Sequence, residues 1–209
     1  MAHAWGWSTL FLLGAYHGIN PGMGWLFAVA LGMQDSSARG VVRSLAPIAL
    51  GHAMAIAVAV LIAGLLQIVL PLKYLKIVVA TALVGLGLYK ILRSRHFRWG
   101  GMRVGFRDLT IWSFLMASAH GAGLMVLPVV LGLNSAPAGH HLHSTPIQDP
   151  LTGLWATLIH TLGYLIVTAV VALVVYQWLG LGLLRKAWFN LDMVWAVALL
   201  ATGCLALII

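Results

Sequence analysis

Residues 44–72 read SLAPIALGHAMAIAVAVLIAGLLQIVLPL and contain no charged side chain. A helix needs about 20 apolar residues to cross the hydrocarbon core of a bilayer, and this run exceeds that length. It reads as a membrane span. Working outward, residues 1–34 are also uncharged, and the run from Leu72 to Leu92 holds Lys73, Lys76 and Lys90 only near its ends, where long stems let ammonium groups reach the headgroups. Leu109 to Leu133, Leu151 to Leu179 and Ala187 to Ile209 are the remaining apolar runs. The expected fold class is an all-α integral membrane protein with six transmembrane helices and little chain outside them.

Composition supports that reading. Of 209 residues, 62% are hydrophobic and 8% are charged, whereas about a quarter of an ordinary soluble domain is charged. Such a chain cannot cover a water-facing surface. The net charge of +8 has the sign of a nucleic-acid binder, but here the basic residues punctuate apolar runs instead of spreading over a face. No nucleic-acid partner is expected. Cys204 is the sole cysteine, so an intramolecular disulfide and a two-thiol relay are both excluded. The first residues, Met-Ala-His-Ala-Trp-Gly-Trp, lack the basic n-region of a cleaved signal peptide and are expected to open the first span.

Orientation follows from the basic residues. Arg39, Arg43, Lys90, Arg93, Arg95, Arg98, Arg103, Arg107, Arg185 and Lys186 fall on one side, against only Lys73 and Lys76 on the other. The positive-inside rule makes the first side cytoplasmic. Both termini and the loop 134–150 are then extracytoplasmic, in a bacterial-type plasma membrane. The basic, aromatic-rich stretch from Arg93 to Arg107 suits anionic headgroups and anchors this orientation. Asp108, just before Leu109, reads as the N-cap of the fourth helix.

The two halves, 1–97 and 98–209, resemble each other. Trp7-Ser8 and His17-Gly18 in the first run answer to Trp112-Ser113 and His120-Gly121 in the fourth, His52 in the second to His160 in the fifth, and Tyr74 to Ile91 align without gaps on Asn190 to Leu207. Each half holds three spans, an odd number, so the second enters the membrane from the opposite side. Inverted repeats of this kind place a transport site near the midplane, at the repeat interface.

That geometry singles out four histidines. His17 lies about 18 Å into its helix, near mid-bilayer, with His120 at similar depth from the other face. His52 and His160 lie roughly 12 Å in. Ionisable residues at such depth face the bundle interior and mark substrate paths. Imidazole suits transition metals, and the absence of a carboxylate beside the four argues against Mg²⁺ or Ca²⁺. Met23 and Met54 could add thioethers, which favour Cu(I). Asn20 and Pro21 lie within His17-Gly18-Ile19-Asn20-Pro21-Gly22-Met23-Gly24, where a proline and glycines predict a broken helix; Gly121, Gly123 and Pro128 predict a matching interruption. These breaks line the expected substrate path. The loop histidines His140, His141 and His143 form a tract of the sort that gathers metal ions.

At His17 and Pro21 the chain resembles the nickel/cobalt exporter group of the LysE-like transporter superfamily, whose first helix carries His-x-x-x-Pro-Asp-His or a close variant. Gly22 and Met23 occupy the positions of its Asp and His. The resemblance implies transport of a divalent cation, with proton exchange as the coupling. The expected function is therefore transport of a transition-metal cation by alternating access, with the ion as substrate, no organic cofactor and no enzymatic activity. Partners are the ion and the bilayer, and a homo-oligomer fits. Two rivals remain open: export of amino acids or similar small solutes, and a b-type haem protein with paired histidine ligands.

Overall fold

A computed structural model describes residues 2–92, 105–133, 150–179, 197 and 199–204. All regular structure among them is helical. In chain order the elements are α1 (Ala2–Ile19), a 3₁₀ turn (Pro21–Met23), α2 (Trp25–Gln34), α3 (Ala38–Val69), α4 (Leu72–Leu92), α5 (Phe106–Ala119), α6 (Ala122–Leu133) and α7 (Pro150–Val174), which closes in a π turn (Val175–Leu179). Residues 199–204 are helical as well. Most of the sixth predicted span, the joint between the proposed halves and the loop histidines His140, His141 and His143 lie outside the described residues.

Local chemistry sets the boundaries. Ser37 caps α3 by accepting a bond from the Arg39 N–H at 3.1 Å. At the other end Pro71 pushes Leu70 out of the helical region, to φ −108° and ψ 128°, and α4 starts immediately beyond. The fourth run begins earlier than its apolar pattern suggests. Gly105 takes the cap position, and Asp108 sits in the first turn of α5, its carboxylate accepting from the Gly105 N–H at 3.2 Å. The expected N-cap role of Asp108 is thereby corrected: extended backbone at Gly105 lets the helix start at Phe106.

Ala38–Leu66 and Leu151–Trp178 are each long and apolar enough to cross a membrane. Phe106–Ala119 and Ala122–Leu131 pass that test only as a pair, bent by 58°. Among the described residues this makes two spans, or three with the bent pair counted once. The bundle exposes apolar bulk and buries polar groups, as a bilayer requires. Leu61, Leu65, Leu162 and Val170 are each more than half exposed, whereas His17, His52 and His160 are fully enclosed.

Close helix crossings hold the bundle together. The most extensive packing joins α1 to α7 and α3 to α5, with α3 also against α7. At the first crossing, a Cβ on Gly14 would collide with the backbone carbonyl of His160, one on Gly18 with the Tyr164 carbonyl, and one on Gly163 with the Phe11 carbonyl. At the second, a Cβ on Gly51 would strike the Thr110 carbonyl. Small residues let backbones approach in this way, and van der Waals packing drives helix association in lipid. If α1 with α2 is matched to α5 with α6, and α3 to α7, the two principal crossings exchange places.

Candidate functional site

The glycine crossings decide which histidines meet. His17 sits one turn beyond Gly14 on α1, and Gly14 abuts the backbone of His160 on α7. His52 follows Gly51 on α3. The three rings form a triangle with centroid separations of 5.7 Å for His17–His52, 5.0 Å for His17–His160 and 5.5 Å for His52–His160. They are drawn from three helices that are distant in sequence.

Hydrogen bonding fixes the tautomer of one corner. His17 Nδ1 lies 2.7 Å from the Leu13 carbonyl, which can only accept, so Nδ1 carries the proton and Nε2 the lone pair. Metal-binding histidines are oriented in this way. His120, at the end of α5, makes the same bond to the Met116 carbonyl at 2.8 Å. At His52 the pattern differs, because the Ile48 carbonyl one turn earlier accepts the Ser113 hydroxyl at 2.7 Å instead. Neither ring nitrogen of His52 has a hydrogen-bond partner among the described residues. The His160 nitrogens also lack one, the Leu10 carbonyl interacting with the ring without hydrogen-bond geometry. A buried polar group left unmatched costs about 1–3 kcal/mol, so such groups call for an explanation.

Spacing and orientation give different answers about a metal. Imidazole nitrogens about 2.0–2.1 Å from a tetrahedral ion place their ring centroids roughly 5 Å apart, close to the observed triangle. Yet the His52 and His160 planes lie within 6° of parallel, and an ion must sit in the plane of every ring that binds it. Parallel rings share an ion only if coplanar, so loading requires a ring to turn. Consistent with this, no group of three or more His, Cys, Asp or Glu side chains among the described residues is arranged so that it could hold a metal ion as it stands. A haem ligated by two of these residues would need its macrocycle between the rings, and separations of 5.0–5.7 Å give that arrangement no support.

His120, the fourth expected ligand, stands beside the break in the first run. A Cβ on Gly22 would lie 3.9 Å from its Cε1 and Nε2, and His120 also interacts electrostatically with His17. Asn20 organises the break: its side chain accepts from the Gly22 N–H at 2.9 Å and its backbone carbonyl from the Met23 N–H at 2.9 Å. Pro21 opens the 3₁₀ turn, and Met23 is buried at its end. In the fourth run the break falls at His120–Gly121, where Gly121 has φ +71°. Pro128 lies inside α6 and does not interrupt it, contrary to expectation.

Two expected path residues are placed elsewhere. Met54 is 46% exposed, on the face of α3 roughly opposite His52. Gly123 serves a helix contact, since a Cβ there would lie 3.2 Å from the Ala55 carbonyl and closer still to Ala59. Tyr164, which the sequence reading passed over, belongs to the site. Its ring stacks on His52 at 3.8 Å and 9°, and its hydroxyl donates to the Met23 carbonyl. Its position four residues after His160, on one face of α7, is the signal that could have found it.

No known protein family, curated protein or solved structure matches the chain.

Proposed function

We propose that the chain is a membrane transporter of a transition-metal cation, with His17, His52 and His160 as the ion site and His120 beside the adjoining helix break. The observation that carries this reading is a triangle of three enclosed imidazoles, with ring centroids 5.0–5.7 Å apart, in which neither nitrogen of His52 has a hydrogen-bond partner among the described residues. Structural histidines in an apolar interior would be expected to bond backbone carbonyls, as His17 and His120 do through Nδ1.

The wider architecture proposed is six spans in two inverted halves, 1–97 and 98–209, with both termini and the loop 134–150 extracytoplasmic. Support comes from the exchange of the α1–α7 and α3–α5 crossings under the sequence correspondence, and from a break in both the first and fourth runs. Alternating access follows as the mechanism: the halves rock around the triad, and the two breaks supply the points of bending. In this cycle the His52 or His160 ring turns to bring its lone pair onto the ion. Each imidazole nitrogen holds either a proton or the ion, so ion release and proton uptake are linked. The external tract His140, His141 and His143 would gather or receive ions at the surface.

Metal uptake into proteoliposomes tests this reading. The intact protein should give saturable, protein-dependent uptake, and the H17A/H52A/H160A variant should give none. Equal uptake by the two would remove the triad from the mechanism. Solute-stimulated exchange without metal dependence would favour the amino-acid exporter instead.

A further inference from the structure

The charge environment of the triad narrows the substrate beyond the class of transition metals. We infer that the His17–His52–His160 site selects a monovalent soft cation, Cu(I) with Ag(I) as its surrogate, over divalent Ni(II), Co(II) and Zn(II). This inference rests on the reading of the triad as an ion site.

The first argument is electrostatic. The chain has only 4 acidic residues, and the two described ones lie at exposed helix ends, Asp35 at the C-cap of α2 and Asp108 in the first turn of α5. Among the described residues the triad is a neutral donor set, enclosed by protein, and an ion bound there keeps its full charge. The cost of moving an ion out of water rises with the square of that charge, making it roughly four times larger for a divalent than for a monovalent ion of equal size. Divalent transition metals at imidazole sites recover that cost from anionic donors or a retained water. A monovalent ion has far less to recover.

The second argument concerns coordination. Two or three nitrogen donors complete the shell of a d¹⁰ monovalent ion, whereas Ni(II) and Co(II) call for further oxygen or nitrogen donors. Thioether sulfur also selects Cu(I). Met23 is 2% exposed in the broken segment, and its carbonyl is held by the same Tyr164 that stacks on His52. It is thus a buried methionine whose backbone is tied to the ring stacked on His52, and a candidate for a soft fourth donor. Cys204 is exposed and gives no thiolate to the cluster.

The test uses the full chain in detergent with the loop tract replaced (H140A/H141A/H143A), so that surface histidines do not contribute to binding. Metal-stripped protein is titrated anaerobically with Cu(I) against a chromogenic chelator, with Ag(I), and separately with Ni(II), Co(II) and Zn(II). The expected result is one equivalent of Cu(I) or Ag(I), held at least 100-fold more tightly than any divalent ion. That equivalent should disappear in a further H52A variant, or in H52N should the alanine form misfold. Triad-dependent binding of a divalent ion as tight as that of Cu(I) would overturn the selectivity while leaving the ion site intact. Absence of any triad-dependent metal binding would overturn both the selectivity and the metal site.

Discussion

The first and fourth apolar runs are interrupted by a similar device and fastened differently. In each, a histidine near the end of one helical segment bonds the carbonyl one turn back, and a glycine of positive φ precedes the next segment. The first break is wide and held from several sides. Asn20 bonds the Gly22 N–H, the Trp25 indole donates to the Ile19 carbonyl at 2.9 Å, and Tyr164 reaches from α7 to the Met23 carbonyl. The fourth run turns through two residues, His120 and Gly121, with backbone bonds from the His120 N–H to Met116 and from the Gly121 N–H to Ser118. Asn20, Trp25 and Tyr164 thus brace the break beside the triad, while the second break carries the His120 side-chain bond to Met116 and its backbone bonds.

Substitutions can break or sharpen that contrast, and equilibrium unfolding in mixed micelles measures them on one scale. Gly24→Ala should be the most damaging, losing about 2–4 kcal/mol. Its φ is +138° and its Cβ would come within 2.6 Å of Ile48 Cγ2 and 3.1 Å of the Tyr164 hydroxyl. Tyr164→Phe keeps the stack on His52 but abandons the Met23 carbonyl, and should lose about 1–3 kcal/mol. Gly121→Ala should lose only about 1–2 kcal/mol, since its φ of +71° lies in the left-handed basin and its nearest neighbour is the flexible end of Leu199, 3.1 Å away. Gly85→Ala, on α4 with nothing within 4 Å of the added methyl, should change stability by less than about 1 kcal/mol. Equal losses at Gly24 and Gly121 would show that the two breaks are fastened alike.

Much of this arrangement was legible in the sequence, and the misses have physical causes. The third run begins at Leu72, where α4 also begins, just beyond Pro71, and Pro21 with its glycines marks the first break. Pro128 misled because a helix can carry a proline when its neighbours absorb the lost bond, as α3 also does at Pro47. Helical geometry could have corrected the placement of Met54. It follows His52 by two residues, about 200° around the helix, so the two cannot share a face. Tyr164 follows His160 by four residues, about 40° around, and therefore shares one. The meeting of His17 with His160 depends on where α1 crosses α7, which spacing along the chain does not encode. Gly14 and Gly18, four residues apart, were the available hint that a close helix contact lay there.

Metal-edge X-ray absorption on the purified chain tests the triad most directly, using protein loaded with whichever of Cu(I), Zn(II) or Ni(II) it retains. The expected spectrum shows imidazole scattering from two or three nitrogens at about 2.0 Å, lost when His17, His52 and His160 are replaced and kept when His120 is replaced. An oxygen-only shell, or a spectrum unchanged by loss of all three histidines, would contradict an ion site at the crossing of α1, α3 and α7.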